Sequence, residues 1–167
     1  LSLMKSSGYD HFWSWEPVMM TKLLALAVKR DKEKSFARSL AQQRLSINFS
    51  DEGVTIPVLR FTLLDSFELS VGGKTFLQGK DLTPAQRELL GLLLTAKGQR
   101  ISQDRIQLEL WPDNSPDNAR KSFDTLMNRL RKKLDPHLPG EIKENYLYTQ
   151  KGIIGLANYE MDSLEFI

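Results

Sequence analysis

The sequence predicts an α+β fold in which an antiparallel sheet, three helices and a C-terminal β-hairpin follow one another along the chain. Apolar residues alternate along residues 59–71, as they do in half-buried strands. Apolar residues then recur with helical spacing between residues 83 and 134, and alternation returns on both sides of the turn 150–152. These patterns predict one domain over residues 57–162, preceded by a hairpin of two helices within residues 1–50.

The N-terminal helical hairpin is predicted from two apolar stripes joined by a charged turn. Pro17 suits the first position of a helix. The stripes are Val18, Leu23, Leu24, Ala27 and Val28 in the first helix, and Phe36, Ala37, Leu40, Ala41 and Leu45 in the second. A lone pair of helices cannot bury both of its faces, so we expect it to pack on other elements, a second chain or further helices. Residues 48–53 are polar and rich in turn formers, which indicates a domain boundary.

Local signals set the limits of the elements that follow. Gly72-Gly73 lies between two alternating segments and predicts a tight hairpin turn. Thr83-Pro84 opens a helix that Gly98 is expected to end, and Ser102 caps a second helix that Pro112 stops. In that second helix Leu110 and Trp111 are expected to be core. Ser115-Pro116 opens a third helix that reaches about Leu134.

The third helix carries the strongest functional signal in the sequence. Residues 115–134 hold six basic side chains and two acidic ones, whereas residues 135–167 hold two basic and six acidic ones. Helical geometry places the apolar residues Ala119, Phe123, Leu126, Met127, Leu130 and Leu134 on one side. Lys121, Thr125, Asn128, Arg129 and Lys132 then lie on the other side, where cations and amides can pair with base edges and phosphates. A merely solvated helix would more often alternate Glu with Lys.

Residues 123–134, with the sequence Phe-Asp-Thr-Leu-Met-Asn-Arg-Leu-Arg-Lys-Lys-Leu, resemble the recognition helix of OmpR/PhoB-type winged-helix regulators. Leu82-Thr83-Pro84 resembles the start of that family's first helix, and Thr149-Gln150-Lys151-Gly152 resembles its wing. The likeness covers about residues 58–158 and is greatest to the branch of antibiotic-regulatory activators. It implies a winged helix-turn-helix with an N-terminal antiparallel sheet and a C-terminal β-hairpin wing. The helices before it are similar to the end of a tetratricopeptide-like array.

The resemblance implies a sequence-specific complex with double-stranded DNA, made by the output domain of a transcription regulator. It implies base contacts by Arg129, Asn128 and Thr125, and phosphate or groove contacts by Lys121, Arg131 and Lys132. At the wing it implies a minor-groove contact by Lys151 and a backbone contact by Thr149. It further implies a homodimer on direct repeats and contact between RNA polymerase and the loop 112–115. The chain departs from the family at the wing tip, Gly152-Ile153-Ile154-Gly155, and at Leu126 and Asn128.

Other classes of function find little support in the sequence. There is no cysteine, which excludes disulfides and thiolate metal sites and fits a cytoplasmic protein. His11 and His137 have no companion at ligand spacing, and no nucleophile, base and orienting group can be assembled, so we expect no metal, no cofactor and no enzyme. No apolar stretch is long enough to span a membrane. Because the sequence begins with Leu1, we expect it to be a piece of a longer protein.

One alternative of a different class stays open. A winged helix can also act as a protein-interaction module in a larger signalling protein, with the third helix and the helical hairpin contacting protein instead of DNA. A third helix with an apolar exposed face would favour that alternative. The basic face predicted here favours DNA.

Overall fold

A computed structural model describes residues 1–10, 15–138 and 146–162. It divides the chain into two compact units, Leu1–Val58 and Leu59–Ile167. No helix in the described ranges is both long enough and apolar enough to cross a membrane. His11, one of the two histidines considered above, lies outside the described residues.

The first unit consists of helices with a small β-hairpin. Its elements are α1 (Ser2–Ser6), α2 (Pro17–Lys29), α3 (Lys34–Leu45), β1 (Ile47–Phe49) and β2 (Thr55–Pro57). Helices α2 and α3 pack on each other, and β1 pairs antiparallel with β2. The shared core comprises Met20, Leu24, Ala27, Val28, Ala37, Leu40, Ala41 and Phe49. The two helices predicted from the sequence are therefore present, and the strand residue Phe49 completes their core.

The structure differs from the sequence-based expectation at two places in this unit. Residues 48–53, which indicated a domain boundary, form part of a β-hairpin and its turn, with the backbone N–H of Gly53 donating to the carbonyl of Ser50 over 3.0 Å. The division between the two units lies after Val58. Helix α2 buries only part of its expected stripe, since Val18 and Leu23 are 63% and 45% exposed. Met19 and Leu26 are also exposed, so α2 is apolar on two sides.

The second unit begins with a four-stranded sheet whose strand order is β5-β4-β3-β9. Its strands are β3 (Leu59–Thr62), β4 (Glu68–Val71), β5 (Lys74–Gln78) and β9 (Tyr159–Met161). Gly72 and Gly73 both have positive φ, as the predicted tight turn between β4 and β5 requires. Strand β9 comes from the end of the domain and pairs parallel with β3. Beside it, the carboxylate of Asp162 accepts from the backbone N–H of Leu63 over 3.0 Å.

Three helices follow the sheet: α4 (Pro84–Thr95), α5 (Gln103–Leu110) and α6 (Pro116–Leu134). The side chains of Thr83 and Gln86 form the capping box that starts α4, and Ser102 caps α5 by accepting from the N–H of Arg105. Helix α4 ends at Thr95, before the expected stop, because Ala96 already has an extended backbone; Gly98 lies in a separate 3-10 turn at φ +68°.

A second sheet, with strand order β6-β8-β7, closes the domain. Its strands are β6 (Arg100–Ser102), β7 (Leu147–Gln150) and β8 (Ile153–Leu156). Strands β7 and β8 form the C-terminal hairpin, and β6, which the sequence did not predict, pairs with β8. The core of this unit is formed by the three helices and the inner faces of the sheets, with Leu89, Leu93, Ile106, Leu130 and Ile154 fully buried. Leu110 and Trp111, expected in the core, are only half-buried at the end of α5.

Candidate nucleic-acid interface

Helix α6 is attached to the domain by one continuous apolar face. All six residues predicted for that face are buried: Ala119, Phe123, Leu126, Met127, Leu130 and Leu134 are at most 7% exposed. The helix is 19 residues long, which corresponds to about 28 Å at 1.5 Å per residue. Asp117 lies in its first turn and three cations lie in its last turn, where each charge opposes the helix dipole.

The opposite face of α6 is open to solvent. It exposes the side chains that the sequence singled out there, namely Lys121, Thr125, Asn128, Arg129 and Lys132. Within the described residues, none of its three cations forms an ion pair. The helix therefore presents cations and amide groups on this face, with the carboxylate of Asp124 exposed beside them.

The hydroxyl of Thr125 has a fixed role within this face. It donates to the carbonyl of Lys121, one helical turn earlier, over 2.8 Å. Its only proton is therefore used inside the helix. Towards a ligand, Thr125 can offer its methyl group and the lone pairs of its oxygen, and a base contact by this residue would be apolar or would accept a hydrogen bond.

Arg131, expected to make a phosphate or groove contact, and Thr149, expected to make a backbone contact, are hydrogen-bonded to each other. The guanidinium Nη2 of Arg131 donates to Oγ1 of Thr149 over 3.0 Å, which joins the last turns of α6 to strand β7. Thr149 pairs with the buried Ile154 across the hairpin, so it lies on the inner side of the second sheet. The bond thus connects the exposed helix face to the inner edge of the wing.

Lys151 lies at the tip of the wing. It is exposed, with φ at +49°, and the following Gly152 has φ at +74°. The carbonyl of Gly152 accepts from the backbone N–H of Gln103 over 2.8 Å, which holds the tip against the start of α5. The one cation of the hairpin is therefore carried on an anchored turn.

The sequence did not indicate two further features next to the wing. The ring of Tyr148 covers Gly155 on the neighbouring strand, and two exposed cations lie at the start of β6, with Lys97 before the strand and Arg100 as its first residue. The position of Lys97-Gly98-Gln99-Arg100 between two helices was the available signal for the two cations. It was missed because β6 is only three residues long and has no alternating pattern of its own.

The described residues give no support for a metal site built around His137. His137 lies in a 3-10 turn after α6 and stacks on Phe76, with ring centroids 4.6 Å apart. Across the described ranges, no three His, Cys, Asp or Glu side chains are grouped closely enough to hold a metal ion. The basic surface of α6 and the wing is thus the feature that needs a functional explanation.

Comparison with known proteins finds a family match over the part of the chain that carries this surface. Residues 78–153 match the family "Transcriptional regulatory protein, C terminal". The matched segment runs from the end of β5 to the wing tip and includes α4, α5 and α6. The fold class predicted from the sequence, a winged helix within an α+β chain, is confirmed.

Individual relatives are transcription regulators as well. The chain is 27% identical over 110 residues to the transcriptional regulatory protein PhoP of Escherichia coli, covering 66% of this chain and 47% of that protein. It is 28% identical over 110 residues to the virulence transcriptional regulatory protein PhoP of Salmonella typhimurium, covering 66% and 46%. The chain thus spans about half the length of the curated relatives that it matches. Neither the family nor these relatives are described as enzymes, in agreement with the expectation from the sequence.

Among solved structures, the chain resembles that of Mycobacterium tuberculosis EmbR in complex with a low-affinity phosphopeptide. The TM-score is 0.47 at 24% identity, covering 60% of this chain and 26% of that one. The match to "Transcriptional regulatory protein, C terminal" begins at residue 78. The tetratricopeptide-like array expected at the N-terminus therefore stays a prediction.

Proposed function

We propose that residues 57–162 bind double-stranded DNA sequence-specifically, as the output domain of a transcription regulator. The observation that carries this proposal is the division of α6 into a buried apolar face and an exposed face of unpaired cations and amides. A helix of this diameter fits the major groove of B-DNA, whose base edges pair with Arg and Asn side chains. The match to a family of transcriptional regulatory proteins supports the same reading.

Each side chain has a distinct role in this proposal. Arg129 and Asn128 read base edges, and Thr125 adds an apolar or accepting contact beside them. Lys121 and Lys132 neutralise phosphates on either side of the groove.

At the wing, Lys151 enters the minor groove. The bond between Arg131 and Thr149 fixes the wing relative to α6 and leaves the other N–H groups of Arg131 for phosphate.

Partners beyond DNA follow from the same family likeness. We propose that two copies of the chain sit head to tail on direct repeats, and that the exposed loop 112–115 contacts RNA polymerase. Such a regulator acts in the cytoplasm. Helices α2 and α3 are the last two helices of a helical array that passes a signal to the DNA-binding domain.

Selection of binding sites from random duplexes with the purified chain tests this function. Enriched duplexes should share a motif, and affinity for them should fall steeply with salt. A protein that makes roughly four to six phosphate contacts gives a log–log slope of about −4 to −5. Failure to bind any duplex at low salt would contradict the proposal and would favour a winged helix that binds protein.

A further inference from the structure

The outer face of the second sheet carries a group of cations separate from those of α6. Gly155 on the central strand β8 pairs with Arg100 on one side and with Tyr148 on the other. Directly paired residues point to the same side of a sheet, so Arg100 and Tyr148 share the face turned away from the buried Ile154. Gln150 lies two residues beyond Tyr148 and shares this face as well.

The turn before β6 adds a second cation at the edge of this face. Lys97 begins the 3-10 turn Lys97–Gln99, in which Gly98 has φ at +68°. A groove of about 540 Å³ runs along the face, and its lining includes Lys97, Arg100, Tyr148, Gln150 and Lys151. Among the residues that the structure describes, no carboxylate lines this groove. A neighbouring groove adds Arg105, whose charge Glu109 offsets at 3.8 Å.

The backbone that carries Arg100 is held in a fixed position relative to the wing tip. Strand β6 pairs with β8 from Arg100 to Ser102, and the N–H of Gln103 donates to the carbonyl of Gly152. Arg100 and Lys151 are therefore carried by one hydrogen-bonded sheet. A ligand bound at the wing tip therefore also contacts the adjacent outer face of the sheet.

We propose that Lys97 and Arg100 form, beside the wing-tip Lys151, a strip that binds the phosphate backbone of DNA on the outer side of the wing. This inference rests on the proposed function. A wing at the minor groove has one sugar–phosphate strand on each side, and the inner strand faces α6. The strip gives the outer strand two cations, with the hydroxyl of Tyr148 and the amide of Gln150 as further donors.

The phosphate strip should add affinity without adding sequence preference. Phosphate contacts position a protein on the duplex and carry no direct base information. Because cations and no carboxylates form the described lining of the groove, the groove attracts a polyanion. An acidic segment of another protein shares this chemistry, and the experiment below distinguishes it from DNA.

The test compares three forms of the full chain on a random-sequence duplex of about 30 base pairs over a range of salt concentrations. The first is the unaltered chain, and the second is the double variant Lys97→Gln/Arg100→Gln. The third is the control Lys74→Gln/Lys80→Gln, which removes the same charge from one exposed lysine of β5 and one of the turn that follows it. Because each lost phosphate contact lowers the log–log slope by about 0.9, the strip variant should bind with a slope shallower by about 1 to 2. The control should keep the slope of the unaltered chain.

Hydroxyl-radical footprints on a selected site provide the second measurement. The strip variant should lose protection only on the strand outside the wing's minor groove, while the motif that it selects stays unchanged. Equal slopes and equal footprints for the unaltered chain and the strip variant would overturn the inference, leave DNA binding intact and point to an acidic protein segment. Absence of duplex binding by the unaltered chain would instead overturn the proposed function.

Discussion

The aromatic ring of Tyr148 lies directly over the α-carbon of Gly155 on the neighbouring strand of the wing. A β-carbon added to Gly155 would be 2.8 Å from Cε1 of that ring and closer still to its hydroxyl oxygen. Gly155 is also buried. The ring thus takes the space that a side chain at residue 155 would need, and it covers a position where the strand has no side chain to pack.

The first prediction is that Gly155→Ala destabilises the domain by about 1 to 3 kcal/mol, the usual cost of inserting a carbon into a filled site. Urea unfolding measures the change in free energy. Gly91→Ala is the matched control, because a β-carbon at Gly91 in α4 meets no atom within 4 Å. That substitution should stabilise by about 0.5 to 1 kcal/mol through better helix propensity. Equal effects at the two glycines would show that the ring does not fill the space.

The second prediction separates base reading from phosphate binding on α6. Arg129→Ala should lower affinity for the selected site by about 1 to 3 kcal/mol and reduce discrimination between sites. Lys132→Ala should weaken binding to all duplexes alike and make the salt slope shallower by about one. Titrations of specific and random duplexes check both. An Arg129→Ala variant that kept its site preference would contradict the proposed reading face.

The third prediction concerns the bond between Arg131 and Thr149. In a double-mutant cycle with Arg131→Met and Thr149→Val, the free energies of unfolding should be non-additive by about 0.5 to 1.5 kcal/mol. A parallel cycle pairing Arg131→Met with Thr125→Val serves as control, because the hydroxyl of Thr125 bonds within its own helix. Additivity in both cycles would mean that the bond does not hold the wing to the helix.

The fourth prediction is a loss of stability at alkaline pH. Burial raises the pKa of Tyr146 to about 12 in the folded state, against about 10 for a tyrosine in an unfolded chain. Between these values the unfolded state releases the proton and the folded state retains it. The contribution of protonated Tyr146 to the free energy of unfolding is therefore complete below pH 10. It is lost as the pH rises towards 12, at about 1.4 kcal/mol per pH unit.

Tyr146→Phe is the control for this alkaline effect. Any other effect of alkaline pH on stability is common to both proteins. The difference in unfolding free energy between the original chain and the variant should therefore isolate residue 146. It should stay constant up to pH 10 and then shift in favour of the variant. A constant difference up to pH 11.5 would contradict a raised pKa.

The helices and the hairpins with long alternating segments could be predicted from the sequence, because their signals are local. Thr83 caps α4 and Ser102 caps α5 through contacts within three residues. The buried face of α6 follows from helical periodicity alone. The side chains on the opposite side of the same helix are then expected to be exposed, so the proposed contact residues on α6 could be named from the sequence.

The elements that could not be predicted depend on partners distant in the chain. Strands β1, β6 and β9 have three residues each, too few to show an alternating pattern, and β6 and β9 form only by pairing with strands far along the sequence. The exposure of Val18 and Leu23 could not be predicted either. Helical periodicity shows that a face is apolar, but it does not show whether another element covers that face. The phosphate strip was missed for the same reason, since pairing of β6 with β8 brings its cations to the wing.

The parallel pairing of β3 with β9 has a consequence for biosynthesis. Leu59 pairs with Tyr159, so the first sheet of the domain receives its last strand only after the helices and the wing have been synthesised. Asp162, which accepts the backbone N–H groups of Leu63 and Leu64, leaves the ribosome later still. A contact that closes so long a loop is gained late in folding. A nascent chain halted within the wing would already carry all of α6 but lack the strand that closes the sheet, so premature termination there should yield a chain with the complete basic helix on an unfinished fold.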